Sequence, residues 1–474
     1  MGVPDGSGGD LRVAVVGGGI AGLTAAFRLQ QAGCEVLVLD EQPAEALGGR
    51  MAGRDCDGFP LDLGAPLLGA GYGSMVRLIA DAGLTGQALP ARDVIGSVHG
   101  GRVRRSRTGS LTRVAGGRLL AGLPVRDRLR ILADLRAAAS HLGPEDMSGG
   151  SRMEPLGLAE YAARRGLAPR TVEHFLGPLA ATLCLTDPEE TAHLAALLYT
   201  AFLITSGGLI TSSMGSAFLP RGLARLLPVR HGARAELVEE RGEMVRVSWT
   251  DTTAVGTGGA REEDFDTVVL AVPPTRVPAL HPQLAPATAS LFRATRYAPT
   301  LQVAFCLERT TAERSVMLHL PRGQAPLLAA CTLQHNLSPH RVPRGRGLAT
   351  AYFRAVPAEH AWDHSDTAVI EAARSELVSL GALPELKEGV RAAYVDRIGS
   401  CVVRRRPGEY HDIAEAMAAD AQATSRVHLA GGDCFGHSTT VGSIASGDRA
   451  AQTVLTRHTH RTASTRAGHE GTHR

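Results

Sequence analysis

The apolar positions of this chain follow two periods. Leu11 to Val16 is a short, almost unbroken apolar run, as expected of a strand buried on both faces of a parallel sheet. Ile20 to Gln31 then carries its apolar residues at helical spacing, and Gly33 is placed to stop the helix. A second apolar strand, Glu35 to Leu39, ends in Asp40. Strand, helix and strand in this order predict the opening βαβ unit of an α/β fold.

Further along, the pattern predicts a helix from Ser74 to Ala82 and a hairpin from Val94 to Arg105 turning at Gly100-Gly101. Arg- and Ala-rich helices follow over 126–141 and 157–165, with a loop at 144–154 between them. The helix from His193 to Ile204 is the most apolar, yet well short of the ~20 residues a membrane span needs. Residues 233–249 and 265–272 are expected as two strands separated by a polar loop, and Tyr297 to Leu307 as another. Near the end, a strand from Val427 to Ala430 leads through Gly431-Gly432-Asp433 to a helix starting near Val441. Residues 457–474 lack an apolar period and are expected as an unstructured tail.

Composition narrows the class. At 474 residues the chain is too long for one ordinary core, so two domains are expected. Apolar residues at 44% and charged residues at 20% describe a globular protein. A net charge of +3, with no basic block interleaved with aromatics, argues against a nucleic-acid partner. The seven cysteines are odd in number, scattered and without a C-x-x-C, which predicts free thiols in a reducing cytoplasm and no metal site. Residues 1–10 are Gly- and Asp-rich, so neither a signal peptide nor a transmembrane segment is expected. Lys387 is the sole lysine.

The chemistry starts between the first strand and helix. Gly17-Gly18-Gly19-Ile20-Ala21-Gly22 fits G-x-G-x-x-G. In such a motif Gly17 permits the tight turn, Gly19 lets backbone approach a pyrophosphate, and Gly22 lets helix and strand pack closely. The pyrophosphate then lies on the free N–H groups of the helix, with Ile20 and Ala21 in its first turn. Asp40, with Glu41 beside it, falls where an acid bonds the adenosine ribose. An acid there argues against a 2′-phosphate and leaves FAD or NAD. A second glycine turn, Gly48-Gly49-Arg50, is not needed for NAD and suits a diphosphate gripped again as the chain returns.

These segments, with Leu47-Gly48-Gly49-Arg50, resemble the N-terminus of the flavin amine oxidase and protoporphyrinogen oxidase superfamily. The resemblance implies FAD and a Rossmann-type FAD-binding domain, discontinuous in sequence, with an α+β substrate-binding domain inserted. The boundaries expected are 1–85, 221–295 and 397–456 for the first domain, and 86–220 and 296–396 for the second. It further implies flavin-facing backbone at Gly64 and Ala65 after Asp62, and an adenine contact at Met244. The segment around Gly432, Asp433 and Val441 resembles the family's closing signature, where Asp433 bonds the ribityl-pyrophosphate side and a helix N-terminus faces the flavin.

Three side chains are candidates for catalysis. Amine oxidases of the family generally place a lysine on the strand matching Tyr297–Leu307, where this chain has Gln302. His437 lies in the closing segment, where such enzymes often carry tryptophan, and is a candidate acid or base. Tyr410, in Pro407-x-x-Tyr410, belongs to a segment leaning towards the protoporphyrinogen oxidase branch, as do Asp187-Pro188-Glu189-Glu190, expected to cap the next helix, and the Pro220-Arg221-Gly222 turn. Arg404, Arg405 and Arg406 offer one possible anchor for a substrate carboxylate.

The expected activity is FAD-dependent dehydrogenation, by hydride transfer to flavin N5, of a bulky or conjugated organic substrate, in tetrapyrrole or secondary-metabolite biosynthesis. Molecular oxygen or another acceptor would re-oxidise the flavin. The alternatives are an amine or L-amino-acid oxidase of the same superfamily and a non-redox flavoprotein mutase or isomerase. Oligomeric state, including a homodimer, stays open.

Overall fold

In this computed structural model the described residues are 11–139, 143, 145, 148–153, 155–252, 259–422 and 424–470. The chain divides into two compact units. The first is drawn from Met1–Ala52, Leu219–Ala294 and Glu415–Arg474; the second comprises Gly53–Phe218 and Thr295–Ala414.

The first unit is built on the predicted βαβ motif: strand β1 (Arg12–Val16), helix α1 (Ile20–Gln31) and strand β2 (Glu35–Asp40). β1 pairs in parallel with β2 on one side and with the strand Thr267–Leu270 on the other. Val229–His231 extends the sheet beyond β2, and Val427–Leu429 extends it beyond Thr267–Leu270. Val13, Ala14 and Val15 have no exposed surface, which is why this strand is continuously apolar. α1 lies close because it carries Gly22: a Cβ there would come within 2.0 Å of the Gly17 carbonyl oxygen. A second glycine brings in the closing helix, Thr440–Glu470, since a Cβ on Gly447 would lie 2.3 Å from the Ala21 carbonyl oxygen.

Two expectations for this unit are corrected. Residues 233–249 are not one strand. Ala233–Arg241 and Met244–Asp251 form an antiparallel hairpin, completed by Arg261–Phe265, and Gly242 turns it at φ +62°. The helix from Thr440 is not followed by an unstructured tail from 457, because it continues to Glu470. Ala, Thr and Arg there contain no helix breaker until Gly468, and the Arg457 guanidinium donates to the carbonyls of Asp420 (2.9 Å) and Ser425 (3.3 Å). Residues 471–474 lie outside the described residues.

The second unit is organised by a mixed seven-stranded sheet, and the predicted hairpin, Val94–His99 with Arg102–Arg107, forms one edge of it. At the other edge Arg296–Leu307 pairs with Val390–Arg404, a single strand of 15 residues. A domain boundary at 397 would cut that strand, so the first unit resumes only at Glu415. Residues 53–85, expected with the cofactor domain, also belong here. Their hairpin, Gly53–Cys56 with Phe59–Asp62, buries Phe59 and Leu61 against Ala304, Cys306 and Leu348. The apolar helix His193–Thr205 is buried at Leu194 to Thr200. Its N-cap is Ala192, with no side-chain cap, and the Asp187 carboxylate instead accepts from the buried Arg354 at 3.0 Å. Among the described residues no helix is long and apolar enough to cross a membrane.

Candidate active site

In the first unit, three segments far apart in sequence meet at the carboxyl end of β1. Gly17 turns at φ +111°, and a Cβ on it would lie 2.6 Å from the Ala271 carbonyl oxygen. Gly19 is different: a Cβ there would meet no atom within 4 Å. Glycine is therefore not required at that position by the protein's own packing. The open space lies over the N-terminus of α1, whose first turn has no acidic side chain. That suits the dipole end of a helix holding a pyrophosphate.

The second glycine turn comes directly alongside. Gly48, at φ +117°, bridges to Gly19, and Gly49 follows at φ +56°. From this turn Arg50 reaches the closing segment, where its Nη2 lies 2.6 Å from Asp433 Oδ2 and its Nη1 donates to Ser438 Oγ at 2.8 Å. Ser438 Oγ in turn donates to Asp433 Oδ1 at 2.7 Å. Asp433 is buried at 2% exposure, so the pair is desolvated on the acid side. The helix opens at Thr440, with Val441 in its first turn and Gly432 packed beneath, 2.9 Å from the His437 carbonyl oxygen if it carried a Cβ.

Asp40 ends β2 at the same edge. Its Oδ2 accepts from the Gly18 N–H at 2.5 Å and its Oδ1 from the Gln42 N–H at 2.9 Å. Burial raises its pKa, and those two N–H groups oppose the rise. Each carboxylate oxygen retains a lone pair for a ribose hydroxyl. Glu41 is held by Arg276, at 2.9 and 3.0 Å to its two oxygens, and by Arg234 at 3.3 Å. Sequence reasoning missed both arginines and Ser438. One signal was available: parallel pairing of Thr267–Leu270 with β1 carries Pro273 to Arg276 to this edge. Met244, expected beside adenine, sits instead at the hairpin turn, paired with Arg241. It is about 25 Å along the ladder from the Ala233–Asp251 end, where Gly232 N–H donates to the Gln42 carbonyl.

In the second unit, Gln302 is buried on Arg296–Leu307 and donates through Nε2 to the Asp62 main-chain carbonyl. The Asp62 carboxylate accepts from Ser216 N–H (2.8 Å) on one oxygen and Arg341 Nη2 (2.7 Å) on the other. Arg341 has no exposed surface, so this is a buried ion pair. Gly64, at φ +156°, and Ala65 follow Asp62 directly. Lys387, the sole lysine, is exposed in the turn Pro384–Lys387 and has no part in this cluster.

Tyr410 is brought together with other groups than Gln302. It lines a small cavity with Gly150, Pro155, His193 and His411, and burial raises its pKa. The arginine run is consumed internally: Arg404 pairs with Glu359 at 2.8 Å and Arg405 with Glu409 at 2.5 Å, while Arg406 lies 3.6 Å from Glu409. Arg406 alone of the three is exposed, as a solvated cation would be. His437 is buried at 2% exposure in the first unit, with its carbonyl accepting from Thr439 N–H at 2.7 Å.

A parallel sheet, an open glycine turn at a helix N-terminus, an acid at the end of the next strand and a second, arginine-bearing turn define a dinucleotide-binding flavoprotein fold. The chain belongs to the flavin containing amine oxidoreductase family, whose model matches residues 20–455. It is a flavin-dependent oxidoreductase, and FAD is its cofactor.

Curated relatives include mycobacterial proteins named coproporphyrinogen III oxidase. That of Mycobacterium leprae is 26% identical over 315 residues, 63% of this chain and 67% of the relative. That of Mycobacterium bovis is 42% identical over 76 residues, so the match spans only 17% of that relative's length. Among solved structures, putrescine oxidase superposes with a TM-score of 0.73 at 16% identity, over 94% of this chain and 99% of that one. A putative protoporphyrinogen oxidase from Exiguobacterium gives a TM-score of 0.69 at 18% identity, over 94% and 98%. Likenesses at that identity establish the fold alone.

Proposed function

We propose that this protein dehydrogenates a bulky organic substrate of the porphyrinogen kind. The observation that carries the reading is Gln302. The family's amine oxidases generally place a lysine on this strand, whereas Gln302 is bonded to the Asp62 carbonyl and Lys387 is exposed in a turn elsewhere. The relationship to proteins named coproporphyrinogen III oxidase points the same way.

When bound, FAD supplies the hydride acceptor, and oxygen or another acceptor later removes the electrons. The chain's residues bind and orient it. Gly17, Gly19 and Gly22 admit the pyrophosphate, and the free N–H groups at Ile20 and Ala21 hold it. Asp40 bonds the adenosine ribose, and Glu41 shapes the same edge through Arg234 and Arg276. Gly48 and Gly49 bring Arg50 to Asp433 and close the site. Gly64 and Ala65 offer backbone to the flavin, and the helix end at Val441 favours negative charge on it. His437 is the candidate proton acceptor as hydride leaves the substrate.

The test is anaerobic mixing of the FAD-loaded protein with coproporphyrinogen III, and separately with putrescine and cyclohexylamine, following the oxidised-flavin band. Rapid bleaching by the porphyrinogen, and none by the amines, is expected. Bleaching by an amine alone would replace this reading with amine oxidation. Product formed with no acceptor consumed would replace it with isomerisation.

A further inference from the structure

The helix Val125–Ala139 of the second unit has an unusual division of its side chains. One face is buried through Ile131, Leu135 and Ala138, as in any surface helix. The opposite face is also apolar: Val125 is 68% exposed and Leu129, one turn on, is 62% exposed, the two most exposed large apolar side chains described. Exposed apolar side chains stacked at i and i+4 cost solvation with no return inside the protein.

The charges are divided as sharply. The helix has four arginines and two acids, and both acids are turned away from the surface. Asp127 has no exposed area and accepts from Thr171 Oγ1 (2.6 Å) and the Ala168 N–H (2.9 Å). Asp134 accepts from Tyr161 Oη (2.6 Å) and Arg165 Nε (2.9 Å). Arg126 and Arg136 are exposed; Arg126 lies 3.4 Å from Asp127, and Arg126 and Arg130 donate to the Gly166 carbonyl, which leaves the charge of Arg130 in place. The neighbouring exposed carboxylate, Glu160, is already paired with Arg164 at 2.8 Å.

We propose that this face docks on an anionic phospholipid surface, with Val125 and Leu129 entering the headgroup region and the arginines meeting lipid phosphates. The pairing of an apolar ridge with flanking cations is what an interfacial helix requires, and neither part alone suffices. Charge also selects the occupant. A second copy of this chain would bring the same arginines face to face, whereas an anionic bilayer complements them. The interaction is peripheral and sensitive to salt.

The experiment is co-sedimentation of the full-length, FAD-loaded protein with vesicles of phosphatidylcholine alone and of equal parts phosphatidylcholine and phosphatidylglycerol. Wild-type protein is expected to sediment with the anionic vesicles at low ionic strength, at roughly tenfold higher affinity than with the neutral ones, and to be released by salt. The double variant Val125→Ser/Leu129→Ser should bind roughly tenfold more weakly, with unchanged flavin content and melting temperature, because both side chains are exposed. Wild-type protein left in the supernatant with anionic vesicles at low salt would overturn the proposal. So would a double variant that binds like wild type, or one that instead converts a dimer to a monomer in sedimentation velocity.

Discussion

The glycine turns of the first unit and the Asp62 cluster of the second are both built around buried or constrained polar groups, but they are made in opposite ways. The turn at Gly17–Gly22 is assembled from backbone, within one βαβ unit, by residues close in sequence. The Asp62 cluster is assembled from side chains that are remote: Arg341 lies 279 residues away, Gln302 240 and Ser216 154. The first is a local backbone geometry that requires glycine at Gly17 and Gly22, so it leaves a spacing pattern. The second depends on which side chains the sheet brings together, and spacing does not record it.

The sharpest way to break the comparison is to fill the glycine positions. Gly22→Val should cost more than about 3 kcal/mol, because the added Cβ meets backbone rather than a movable side chain. Circular dichroism melting would check it, and a variant as stable as wild type would mean that α1 and β1 can separate. Arg341→Met tests the other region. It leaves the Asp62 carboxylate buried without its cation, a loss of about 3–5 kcal/mol by urea unfolding. Pairing it with Asp62→Leu should recover much of that loss, since an apolar pair tolerates burial.

Acid should separate the units further. Burial in the second unit pushes the His319 pKa down to about 3. Below the ordinary histidine pKa the unfolded chain takes up a proton that folded His319 refuses. Stability should therefore fall as pH drops from about 6.5 towards 3, by up to about 1.4 kcal/mol per pH unit, and be unaffected above it. His319→Gln should flatten that slope in pH-dependent urea titrations. The smallest effect belongs to Gln302→Leu, about 1 kcal/mol for one hydrogen bond, also read by urea unfolding.

Much of the cofactor unit was legible because periodicity and glycine spacing are local. Strand, helix and strand ends matched within a residue, and Arg50 and Asp433 were both singled out before they proved to be partners. Met244 failed for a local reason as well: the glycine turn at Gly242 folds 233–251 into a hairpin and carries the residue away from the edge it was assigned to. The helix to Glu470 was missed because its stretch has helix-permissive composition without an apolar stripe. In the second unit, neither Arg341 nor the burial of Arg405 could be anticipated, since an arginine's partner across a fold has no sequence period.

The most direct measurement is the flavin content of purified Gly19→Ala, set beside the melting temperature of its apoprotein. A Cβ at Gly19 meets nothing in the protein and would occupy the space reserved for the pyrophosphate. The prediction is an apoprotein that melts with wild-type apoprotein while flavin retention falls by roughly tenfold or more. A fully yellow variant, loaded as wild type, would contradict the placement of FAD on this turn.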